Sequence, residues 1–141
     1  MENLELRATK YTPAICFDCE NHVLEIIGES YPENIAEFYA PVFTWLEEYV
    51  RQLGDETVAV NMEMIYFNSS SSKVLMDLFD LMEEASRVGK SFVVNWIYEE
   101  DDDDSLEFGE DFQEDFEDLS FNLMEKKDFM ESVAEKKTNL F

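Results

Sequence analysis

Residues 57–98 read "TVAVNMEMIYFNSSSSKVLMDLFDLMEEASRVGKSFVVNWIY", and the spacing of the apolar residues changes twice along them. In the first twelve residues Val58, Val60, Met62 and Met64 alternate with Ala59, Asn61, Glu63 and Ile65, the pattern of a strand with one strongly apolar face. After four consecutive serines, Val74, Leu75, Leu78, Leu81, Met82, Ala85 and Val88 recur at steps of three and four, which predicts a helix, and Gly89 stands where it should stop. "SFVVNWIY", residues 91–98, then reads as a buried strand. A strand, helix, strand order requires a crossover connection, so the sheet is at least partly parallel.

The flanking sequence extends this unit on both sides. "AICFD" (14–18) and "VLEIIG" (23–28) surround the turn-like "CENH", which predicts a hairpin, and "LELR" (4–7) supplies a short strand before it. Ile35, Phe38, Tyr39, Val42, Leu46, Tyr49, Val50 and Leu53 mark one helical face that Gly54 ends. Pro41 falls inside it and predicts a kink or a break. Downstream, Leu106, Phe108, Phe112 and Phe116 are spaced to anchor an acidic helix. Leu119, Phe121 and Leu123 alternate as a final strand. The expected fold class is α/β, a single domain with a mixed sheet covered by helices.

Composition narrows the function. The chain has 141 residues, a length suited to one domain, and 34 acids against 10 bases give a formal charge of -24. Such a surface repels phosphate backbones and anionic lipid, so neither nucleic acid nor direct membrane binding is expected, and the partners should be proteins. "MENLELRATK" lacks a basic-then-apolar signal pattern and no apolar stretch approaches a membrane span, so the expected location is cytoplasmic. Cys16 and Cys19 form a lone C-x-x-C beside a single histidine, too few for a closed zinc site. They are expected to be buried or half-buried structural thiols.

Residues 99–118 hold 13 acids and no base. Read as a calcium loop from Asp101, they put Leu106 where the turn glycine belongs and Phe112 where the bidentate glutamate belongs, so the EF-hand reading fails. The expectation is a solvated acidic surface, with a looser cation site as the alternative. Four scattered glycines make neither a P-loop nor a dinucleotide fingerprint. His22 falls in a hairpin turn, an exposed position rather than that of a catalytic base. With no catalytic, metal or cofactor motif, the chain is not expected to be an enzyme.

"NSSSSK" (68–73) remains. Asparagine and serine start helices because their side chains accept hydrogen bonds from the unpaired amides of the first turn. Capping needs one or two such residues, not four. Free amides and the positive end of the helix dipole beside exposed hydroxyls would hold a phosphate, with Lys73 in reach.

"GESYPENIAEFYAPVFTWLEEY" (28–49), "IYFNSSSSKVLMDLFDLMEEA" (65–85), "VNWIYEEDDDDSLEFGEDF" (94–112) and "LSFNLME" (119–125) together resemble the SiaC family of bacterial regulatory phosphoproteins. The resemblance covers residues 1–125, leaving 126–141 as a helical or frayed tail. It implies a STAS-like plan, as in anti-sigma factor antagonists. It also implies a partner switch, with phosphorylation by a SiaB-like kinase, reversal by a PPM-type phosphatase, and binding of the unphosphorylated form to a diguanylate cyclase that it activates, in control of cyclic di-GMP and biofilm formation. The family's phosphoacceptor, usually a threonine after the asparagine, falls on Ser69. A serine in that place leaves Ser70 and Ser71 as alternatives, with Asn68 and Lys73 as supporting residues. The competing reading is a constitutive acidic scaffold that phosphorylation does not control.

Overall fold

A computed structural model describes the backbone of residues 1–139 and the side chains of residues 1–136. Its elements are β1 (Leu4–Leu6), β2 (Ala14–Asp18), β3 (Val23–Ser30), α1 (Ile35–Gln52), β4 (Thr57–Phe67), α2 (Ser69–Arg87), β5 (Ser91–Tyr98), α3 (Asp103–Asp115), β6 (Ser120–Glu125) and α4 (Lys126–Asn139). The six strands lie side by side in chain order. β1, β2 and β3 pair antiparallel, whereas β3, β4, β5 and β6 run parallel. This is the expected mixed sheet. Crossovers between parallel strands are almost always right-handed, and three successive ones stepping in one direction place α1, α2 and α3 on one face.

Strand burial follows the alternation. Val58, Val60, Met62 and Met64 are buried beneath the helices together with Phe92, Val94 and Trp96, while Ile65 is 62% exposed. Each fully buried side chain of this size contributes about 1.5–3 kcal/mol. The opposite face carries a polar row in register across four strands, Glu25, Asn61, Asn95 and Asn122. Asn61 donates to Glu25 at 3.4 Å, Asn95 to Asn61 at 2.9 Å, and Asn122 to Asn95 at 3.1 Å. At the end of β6, Lys126 reaches Glu63 of β4 at 2.9 Å and Glu99 at 3.8 Å, which fixes the start of α4. The tail continues as a helix to Asn139; residues 140 and 141 lie outside the described residues.

Several local expectations are settled or corrected. Of the two outcomes expected at Pro41, the break does not occur, and α1 is one continuous helix through it. Proline offers no N–H to the carbonyl of Glu37, but both residues are exposed and water can satisfy that carbonyl. Cys16 is exposed rather than buried, because Ile15 and Phe17 take the core face of β2. Cys19 is half-buried in the turn and its thiol donates to Asn3 Oδ1 at 3.1 Å. Val88 is 77% exposed, since the helix has already ended at Arg87. Phe108 is also exposed, because the buried stripe of α3 is Ser105, Gly109 and Phe112 instead.

Two glycines are required by this packing. Gly28, at φ +131°, sits at the irregularity between β3 and β4, and a Cβ there would lie 3.3 Å from Pro13 Cα. That shift sets Ser30 opposite Phe67. A Cβ on Gly109 would lie 2.5 Å from the Trp96 ring and 2.8 Å from Leu123, so only glycine lets α3 approach β5 and β6 this closely. Gly109→Ala is therefore expected to destabilise the fold by about 1–3 kcal/mol through overpacking. Gly54→Ala, which meets only the movable carboxylate of Glu56, should cost much less. Urea unfolding of the two variants checks the contrast.

Candidate functional site

The parallel strands β3, β4 and β5 end at Ser30, Phe67 and Tyr98, and α1, α2 and α3 begin just beyond them. Three helix N-termini thus gather along the carboxyl edge of the sheet, where open α/β folds place their sites. Each is capped the same way: Asn34 accepts from Glu37 N, Asn68 from Ser71 N at 2.9 Å, and Asp102 from Ser105 N at 3.0 Å. Asn68 thus has the turn-shaping position expected of it, and its own amide donates to the Ser30 carbonyl at 3.2 Å, locking the turn to β3.

The serines that follow are not equivalent. Ser69 and Ser70 are exposed, Ser71 is wholly buried and Ser72 is intermediate. Ser71 Oγ lies 2.8 Å from Ser30 Oγ, which in turn lies 2.7 Å from the hydroxyl of Tyr39. Burial pushes the Tyr39 phenol above its ordinary pKa, only partly opposed by the bond to Ser30, so this is a chain of neutral hydroxyls. It ties the first turn of α2 to the end of β3 and to α1. Among the described residues the amides of Ser69 and Ser70 have no partner, as expected for the first positions of a helix.

Charge also distinguishes this helix start. The first turn of α1 contains Glu37, that of α3 contains Asp103 and Asp104, and that of α4 contains Asp128, but α2 has no acid in its first turn. Lys73, the expected supporting cation, is exposed and forms no ion pair among the described residues. In a chain of charge -24, this is a helix N-terminus left open to an added anion.

Periodicity held a signal for Ser71 that the count of four serines concealed. It precedes Leu75 by four residues and Leu78 by seven, so it lies on the apolar stripe of α2 and must point inward. Its partners Ser30 and Tyr39 are remote in sequence and carry no such mark.

His22 departs from the exposed position expected of it. Its side chain is 24% exposed, its Nε2 is 3.5 Å from Glu56, and its Nδ1 contacts the Tyr49 hydroxyl. The hairpin tip, with His22 at φ 58°, folds back over the end of α1, so the imidazole is part of the packing there. No group of three or more His, Cys, Asp or Glu among the described residues could hold a metal ion, and no helix among them is long and apolar enough to cross a membrane.

Comparison with known proteins gives a consistent result. The profile of the SiaC family regulatory phosphoproteins matches residues 6–126. An uncharacterized protein of Pseudomonas aeruginosa strain UCBPP-PA14 is 35% identical over 115 residues, 82% of this chain and 90% of its own length. The crystal structure of apo-SiaC from Pseudomonas aeruginosa superposes with a TM-score of 0.78 at 34% identity, covering 89% of this chain and 98% of that one. A chain in the crystal structure of diguanylate cyclase SiaD in complex with its activator SiaC, also from Pseudomonas aeruginosa, gives a TM-score of 0.81 at 33% identity over 86% of this chain and 98% of that one.

The hydroxyl chain generates a stability prediction. Ser71→Ala or Tyr39→Phe leaves a buried hydroxyl short of a partner and should cost about 1–3 kcal/mol. Ser69→Ala and Ser70→Ala, at exposed positions, should stay within about 0.5 kcal/mol of the parent. Denaturant unfolding of the four variants measures the difference.

Proposed function

This chain belongs to the SiaC family of regulatory phosphoproteins, and from that premise we propose that it is a non-enzymatic partner switch phosphorylated on Ser69. A SiaB-like kinase transfers the γ-phosphoryl group of ATP to Ser69 Oγ, the hydroxyl proton is released and ADP leaves. A PPM-type phosphatase hydrolyses the ester. The unphosphorylated form binds and activates a diguanylate cyclase, a role supported by the likeness to SiaC, the activator found with the cyclase SiaD. Its place of action is the cytoplasm, where ATP is available to the kinase.

The observation that carries the reading is the asymmetry of the serine run. Ser69 and Ser70 face solvent at a helix start without acids, whereas Ser71 is sealed into the hydroxyl chain. Between the exposed pair, Ser69 is favoured because it directly follows the capping Asn68, the place the family's acceptor occupies. A phosphate there brings about -1.5 to -2 charges to the two unpartnered amides, with Lys73 on the same turn as a counter-charge. Asn68 supports the site by holding the turn that presents Ser69.

The test is phosphorylation by the cognate kinase followed by intact-mass and fragment analysis. One phosphate is expected on the parent and on Ser70→Ala, and none on Ser69→Ala. Ser69→Asp should weaken cyclase binding on the order of tenfold, ~1.4 kcal/mol, as read by titration calorimetry. Equal phosphorylation of Ser69→Ala and the parent would move the acceptor elsewhere. Cyclase binding that ignores both the phosphate and Ser69→Asp would favour a constitutive scaffold.

A further inference from the structure

Beside the serine run, the carboxyl edge of the sheet carries an uncovered apolar band. Ile65 is 62% exposed, Tyr66 54% and Phe108 of α3 44%, all large side chains on the surface of a highly charged protein. The Phe108 ring sits 4.9 Å from that of Phe67, and the Tyr66 ring makes an edge contact with Tyr31 at 5.6 Å. A hollow of about 220 Å³ lies between them, lined in part by Ile65, Tyr66, Phe67, Asp102, Asp104 and Phe108. It adjoins a second hollow of about 340 Å³ along α3, lined by Asp104, Glu107, Phe108 and Asp111, with Asp104 and Phe108 common to both. The two form one trough.

The spacing of the second set is informative. Asp104, Glu107, Phe108 and Asp111 stand at i, i+3, i+4 and i+7, so one stripe of α3 sets an aromatic ring among three carboxylates. Those carboxylates are exposed, and none of the three has a cationic partner among the described residues. An apolar floor with an unneutralised acidic rim is complementary to a segment that is apolar in the middle and basic on its flanks. A second copy of this chain, at charge -24, has the wrong sign for such a rim.

We propose that this trough is a docking surface for a protein segment that presents an apolar anchor between lysines or arginines. It rests on the partner-switching reading in taking the ligand to be a protein, but it does not depend on Ser69 or on any phosphate. Phe108 and Ile65 supply the anchor contacts. Asp104, Glu107 and Asp111 select the sign of the partner's charge and speed its approach.

The experiment uses the full chain, unphosphorylated, and two synthetic amphipathic helical peptides with the same leucine face, one flanked by lysine and arginine and the other by glutamate. The basic peptide should bind, and in NMR titration the amide signals of residues 64–67 and 102–111 should move most. Phe108→Ser and, separately, Ile65→Ser should weaken binding about tenfold, the loss expected of an anchor in the centre of an interface. Glu107→Gln with Asp111→Asn should weaken it severalfold, an effect that shrinks in high salt. Both variants should stay folded, Ile65→Ser with the parent's thermal unfolding curve and Phe108→Ser with a modest downward shift from the lost contact with Phe67. Failure of the basic peptide to bind, equal binding of the acidic twin, or affinity unchanged in both anchor variants would overturn the proposal. The assay contains no kinase, cyclase or phosphate, so a negative result here leaves the Ser69 switch standing, and loss of that switch leaves the docking surface standing.

Discussion

Three hydroxyl groups inside the fold decide what the serine run can do. Ser71, Ser30 and Tyr39 come from α2, β3 and α1, and each is buried where a missing hydrogen bond would be costly. The chain they form fixes the rotation of the first turn of α2. Once Ser71 is turned inward, Ser69 and Ser70 must be presented outward, and the capping bond from Asn68 holds the backbone between them. The outward presentation of Ser69 and Ser70 at this edge therefore depends on a neutral network of buried hydroxyls.

Electrostatics acts on a larger scale. With so many acids, most helix starts among the described residues already place a carboxylate near the unpaired amides, and of these only α2 has none in its first turn. An anion added there meets a favourable dipole and Lys73 in a background that otherwise repels it. Screening confines the effect to roughly 8 Å at physiological salt, so any anion added there would act locally despite the large overall charge. The acids along α3 act on approach instead, because their spread around Phe108 sets the sign of whatever comes near the apolar band.

Glycine controls how closely these parts assemble. Gly109 lets α3 settle against Trp96, whose indole N–H donates to the Ser105 carbonyl at 2.9 Å. That close approach rotates Ser105, Gly109 and Phe112 inward and leaves Phe108 at the surface. An aromatic residue that hydrophobic spacing assigns to the core is thus displaced outward by a neighbour without a side chain.

The strands, the helices and the parallel crossovers were legible in the sequence because they follow from local periodicity, which needs no knowledge of distant residues. The place of the hydroxyl run at a strand-to-helix turn was legible for the same reason, and so were the acid-rich stretch of α3 and the capping role of Asn68. The burial of Ser71 was within reach of the same reasoning, through its spacing from Leu75 and Leu78. Its partners, the half-buried His22, the exposed Cys16 and the outward Phe108 were decided only by the tertiary structure. Their surroundings are set by segments that meet across the sheet, and a sequence pattern records which face a residue occupies but not what lies opposite it.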